Sequence, residues 1–297
     1  MMRTLLVRGM LAGLTAGLFA AVFAFVVGEP PVDTAIGLEE AGGTESHGTA
    51  SHSAESHAEA PGHAAPPDHT GSSGHEAESG SAHGHDHGDD ALVGRGVQST
   101  VGLLTGVTGY AVAVGGLFAI AFAAVQGRVT TLRPRVSAAL LAAGGFAVVV
   151  LVPFLKYPAN PPAVGQAGTI EDRTALYFGF VALSLVAAMV AVAVGRAVAD
   201  RVGAANGGLL GVGAYVTVMA VAGALLPAVD EVPDGFPGSL LWDFRLASLG
   251  TQVVLWCALG LAFAVLAERA MGPDAARGPG NARGREGPAD DPVAVRQ

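Results

Sequence analysis

The sequence predicts an all-α integral membrane protein with about six transmembrane helices and a disordered, histidine-rich outer loop after the first. Three observations predict it. Of the 297 residues 51% are hydrophobic and only 14% are charged, against about 25% charged in an ordinary soluble chain. Those charges sit in gaps between long apolar runs, the pattern of a chain whose solvent is lipid. All nine histidines lie between positions 47 and 87, in a stretch too poor in large apolar side chains to offset its chain entropy.

Six uncharged runs follow one another at 9–27, 96–127, 136–155, 174–195, 202–229 and 246–267. Each suffices for a helix across a hydrocarbon core of roughly 30 Å, which takes about 20 residues. The second and fifth exceed that length and are expected to tilt or to emerge from the bilayer. Arg3 and Arg8 give the first run the flank of a secretory signal. No A-x-A-type site precedes GEPPVD, however, so it is expected to stay as a span. The chain thus divides into a first helix (1–28), an outer loop (29–91), a membrane domain of five further spans (92–271) and a tail (272–297). The tail of Gly, Pro, Ala and Arg is expected to be disordered.

Basic residues orient these spans. With six alternating helices and the N-terminus inside, twelve of the sixteen Arg and Lys residues fall on the inner side. Only Arg95, Lys156, Arg173 and Arg245 fall outside. Of the 25 acidic residues, nineteen fall outside. Both termini are therefore expected in the cytoplasm of a bacterial inner-membrane protein, with the histidine loop facing out.

Imidazole is the commonest transition-metal ligand, and a flexible chain can gather several rings around one divalent ion. The candidate ligands are His47, His52, His57, His63, His69, His75, His83, His85 and His87, densest in SAHGHDHGDD (81–90), where Asp86 adds a carboxylate. Three further stretches belong to the same outer face: GEPPVDTAIGLEE (28–40), VPFLKYPANPP (152–162) and LLPAVDEVPDGFP (225–237). Their prolines are expected to hold extended, rigid turns. Glu29, Asp33, Asp230 and Glu231 would line a cation vestibule there; the plainer reading makes them solvated carboxylates at helix ends.

Within the spans, Gly9, Gly13 and Gly17 share one helix face, as do Gly102 and Gly106. Small residues at that spacing let helix backbones approach closely in lipid. No ionisable carboxylate, histidine or basic residue falls inside a run, which leaves an ion path without its usual markers. Several functions are excluded. There is no Gly-x4-Gly-Lys-[Ser/Thr] loop for nucleotide, no His-Glu-x-x-His, and no histidine after position 87 to serve a catalytic centre, so no enzyme is expected. A net charge of −9 argues against nucleic acid. Cys257 alone forms neither a disulfide framework nor a thiolate metal site.

The helix running into Glu29-Pro30 and Asp33, the stretch PFLKYPANPP (153–162) and the stretch FPGSLLWDFRLASLGTQ (236–252) resemble the CbtA family, presumed cobalt transporter subunits of bacteria. The resemblance covers most of 1–40 and 92–271. It implies cobalt uptake linked to cobalamin biosynthesis, alongside a small single-span CbtB-like subunit in the lipid bilayer. A homo-oligomer is a further expected assembly. The long histidine tract departs from the family pattern, in which histidines belong to the small partner. The expected function is a cobalt uptake subunit, with nickel or zinc as alternative ions, whose outer loop captures metal for passage through the helices. The alternative is a non-transporting membrane protein that binds divalent metal, buffers or senses it, and hands it to a partner.

Overall fold

A computed structural model describes residues 2–48 and 95–271. The described residues are helical throughout apart from short connections: α1 Met2–Phe23, α2 Glu29–Gly48, α3 Arg95–Val125, α4 Pro134–Phe146, α5 Val152–Lys156, α6 Ile170–Val202, α7 Ala204–Leu225 and α8 Gly238–Met271. Two π-turns, Ala24–Gly28 and Ala147–Leu151, join α1 to α2 and α4 to α5 without a break. Six helical segments are thus long and apolar enough to cross a membrane.

Four of the helices form one group. The small-residue face of α1, comprising Gly9, Ala12, Gly13, Ala16, Gly17 and Ala20, is buried. A Cβ added at Gly9 would overlap the Gly115 carbonyl oxygen, and one at Gly13 that of Ala111. Backbone therefore meets backbone along the α1–α3 crossing, which in lipid supplies the dispersion contact that no hydrophobic force provides. α8 covers the other flank of α1, and α4 packs on α8. Phe118 and Phe122 of α3 meet Phe263 of α8 edge to face, with ring centroids 5.1 and 5.0 Å apart. α1 therefore sits between α3 and α8.

α6 and α7 form the second group, closed by Gly195, Gly207 and Gly211, each packed against backbone of the opposite helix. Gly102 and Gly106, the small-residue pair on the second span, make no such approach, with nothing within 4 Å of a Cβ added at either. The face of α3 that meets α1 lies further along, at Thr108, Ala111 and Gly115.

The prolines correct a second expectation. Residues 29–48 are helical, not an extended turn, so the segment read as a loop from position 29 begins as helix. In the π-turns the Glu29 N–H bonds to the Ala24 carbonyl, and the Val152 N–H to that of Ala147. In this i to i−5 register the next residues, Pro30 and Pro153, have no N–H to give. The wide turn also moves the proline rings off the carbonyls they would strike in an α-helix. At the second turn another helix repairs the gap. Ser184 of α6 donates its hydroxyl to the Val148 carbonyl at 2.7 Å. Its proton is thereby committed, so the Tyr215 hydroxyl of α7, 2.8 Å away, donates to Ser184.

Candidate functional site

A cavity of about 750 Å³ lies where the two helix groups face each other. Its walls include Tyr110 of α3, Val149, Val150 and Phe154 around the second π-turn, Tyr177 and Phe178 of α6, and Arg245, Ser248 and Gln252 of α8. The connection after α5 (Tyr157, Pro158, Ala159, Asn160 and Val164) closes one end. Gln252 lies 14 residues beyond Gly238, where α8 begins, or about 20 Å along the helix at 1.5 Å per residue. The cavity therefore reaches well into the span from the end bearing loops 157–169 and 226–237.

That end is tied by a set of specific bonds. Lys156 donates to the Leu226 carbonyl at 2.9 Å, placing a cation on the C-terminus of α7, where the helix dipole is negative. Tyr157 donates to the Pro227 carbonyl at 3.0 Å, and burial raises its phenol pKa. Arg173 in the first turn of α6 pairs with Glu231 at 3.0 Å, and the Gln166 N–H donates to the same carboxylate oxygen at 3.1 Å. The Thr169 hydroxyl above all, with the Gln166 N–H and Arg173, holds the Glu231 carboxyl below its ordinary pKa, against an opposing push from burial. Gly165 packs directly on the Arg173 guanidinium at φ +127°, a place a side chain could not share. Arg245 ties α8 to the connection after α5, donating to the Ala159 carbonyl at 3.3 Å and to Asn160 Oδ1 at 3.0 Å.

With this geometry in place, comparison with known proteins is decisive on family alone. A family model described as a probable cobalt transporter subunit (CbtA) matches residues 2–268. The chain belongs to the CbtA family. No curated protein and no solved structure matches it. Two of the three stretches that carry the likeness, PFLKYPANPP and FPGSLLWDFRLASLGTQ, contribute to the cavity walls. Tyr157 through Asn160 come from one, and Arg245, Ser248 and Gln252 from the other.

The acidic residues expected to line a vestibule in this CbtA protein are distributed differently. Glu29 starts α2, and Asp33 lies exposed one turn further along it. Asp230 is exposed, whereas Glu231 is engaged by Arg173 and Gln166. None of the four lines the cavity. His47 falls within α2. His52, His57, His63, His69, His75, His83, His85, Asp86 and His87 lie outside the described residues. Among the described residues, no three side chains of His, Cys, Asp or Glu come together as a metal site. Sequence reasoning passed over the residues that do converge: Tyr110, Asn160, Arg173, Tyr177 and Arg245. The two arginines were read only as charges that orient the spans. Both lie on the minority side of the twelve-to-four split, and Arg245, like Asn160, lies in a stretch that carries the family likeness.

Proposed function

We propose that this CbtA-family chain is the cobalt uptake subunit of a bacterial inner-membrane transporter, with both termini cytoplasmic. The chain between α2 and α3 and the cavity mouth then share the outer face. The histidines of the loop collect scarce divalent metal, cobalt first and nickel or zinc as alternatives, and raise its local concentration at the mouth. The cavity is the outer half of the route, and a small CbtB-like subunit completes the assembly. The observation that carries this reading is that two of the stretches holding the family likeness meet in one cavity between two helix groups. Relative movement of those groups, about the π-turn that joins α4 to α5, gives the route its gate. Arg8, Arg135 and Arg196 support the orientation. Arg8 bonds to the Leu266 carbonyl at 2.9 Å, Arg135 reaches Glu268 at 3.9 Å, and Arg196 bonds to the Val129 carbonyl. These ties close the end opposite the cavity mouth, where the arginine-rich connections lie.

Deleting residues 44–90 tests the division of labour. Uptake should fall at limiting external cobalt and survive at high cobalt, because loop length itself costs stability only slowly. Loss at every concentration would make the loop part of the path. The second reading, a membrane protein that binds and hands on metal without transporting it, is favoured by one observation: the absence of any three-ligand group among the described residues. Under that reading, deletion of 44–90 removes metal binding while cobalt flux through the chain is absent throughout.

A further inference from the structure

The cavity has the wrong sign for a bare dication. Arg173 and Arg245 both line it, and no carboxylate does. Arg173 is paired with Glu231, yet its Nε is a buried donor without an acceptor. Arg245 is half-buried, and its bonds go to the neutral oxygens of Ala159 and Asn160. Among the described residues no carboxylate pairs with it. A guanidinium cannot give up its proton in a protein, so this charge stands uncompensated in a partly desolvated space. Hydroxyls of Tyr177 and Ser248 add donors on the same walls. The donors that these bonds leave over, Nη1 of Arg245 and Nε of Arg173, with hydroxyl donors between apolar surfaces, suit carboxylate oxygens, and the volume falls within the range of about 300–1,000 Å³ usual for small-molecule sites.

We propose that the cavity is an anion site for a small polycarboxylate, and that metal enters it as the chelate of that anion. The second half of this proposal rests on the transport reading above. The anion neutralises Arg245 and its remaining oxygens hold the metal in the cavity; the anion stays there when the metal passes on, so the charge that crosses is that of the dication. Loading is ligand substitution: carboxylate oxygens replace water on the metal, with no change of oxidation state. The carboxylates are already ionised at neutral pH, so the protein need take up no proton.

The test is equilibrium binding of radiolabelled citrate to the purified full chain in detergent at pH 7.5, with and without cobalt. Citrate should bind, and cobalt added with it should not displace it. Arg245→Gln should weaken binding about 10- to 100-fold, the size of a lost charge-assisted hydrogen bond, and Arg245→Lys should recover part of the loss. Absence of citrate binding to the folded wild type, or binding unchanged in Arg245→Gln, overturns the proposal. A second measurement keeps Arg245 intact. In a Cys257→Ala background, Ser248→Cys should react faster with a sulfonate-bearing thiol reagent than with its trimethylammonium counterpart, relative to the pair's rates on free cysteine. Faster reaction with the cation overturns it. The two readings fail separately: citrate binding without cobalt flux sinks transport and keeps the anion site, and flux of bare cobalt without citrate binding does the reverse.

Discussion

Glu231 shows how a single carboxylate can hold the mouth of the cavity together. The Thr169 hydroxyl, the Gln166 N–H and Arg173 all favour its ionised form. A carboxyl with a lowered pKa in the folded state contributes stability that is fully present above its ordinary pKa and lost as pH falls through the lowered value. Glu231→Gln should therefore lower the thermal midpoint in detergent at pH 7. The gap from wild type should close as pH falls below about 4, where carboxylates protonate. A gap independent of pH would contradict the assignment. Ser184 makes a second case. Ser184→Ala strands the Val148 carbonyl and the Tyr215 hydroxyl together, and should cost about 1–3 kcal/mol by thermal unfolding. Tyr215→Phe leaves the serine-to-carbonyl bond standing and should cost less.

At the scale of the helix, the glycines separate into those that touch backbone and those that face open space. Gly13→Leu drives a side chain into the Ala111 carbonyl and should cost at least the roughly 1–3 kcal/mol typical of overpacking, seen as lost folded protein after extraction. Gly102→Leu and Gly106→Leu, with nothing within 4 Å, should leave the thermal midpoint unchanged. The small-residue face of α1 was legible in the sequence because three glycines four apart define one helical stripe. Its partner on α3 was not, since alanine fills these spans and any of several faces could accept a close approach. The prolines misled for a related reason. Pro30 and Pro153 each lack an N–H, which argues against helix in the α register, but a π-turn places that missing donor where it does least harm. Only the three-dimensional course of the chain shows that Ser184 stands ready at Val148, 36 residues away.

For the whole molecule, the count and order of spans were written in the apolar runs, and all six are present as helices. The cavity was not legible. Its walls come from four separate helices and two connections, and no local pattern announces that Tyr110, Tyr177 and Arg245 will converge. Under the transport reading, the route has no ATP-binding loop to drive it and no acidic residue within the apolar runs to carry protons. Inward movement needs neither. Two positive charges entering a cell that is negative inside gain about 4.6 kcal/mol per 100 mV, on the order of a thousandfold in concentration. The measurement that bears most directly on the central claim is therefore uptake of radiolabelled cobalt into proteoliposomes holding the purified full chain, with citrate present and an imposed potassium-diffusion potential. Uptake should rise when the interior is made negative and collapse when the potential is dissipated. Cobalt that binds to the vesicles to the same extent at every potential, without entering the lumen, would contradict transport and leave a metal-binding membrane protein in its place.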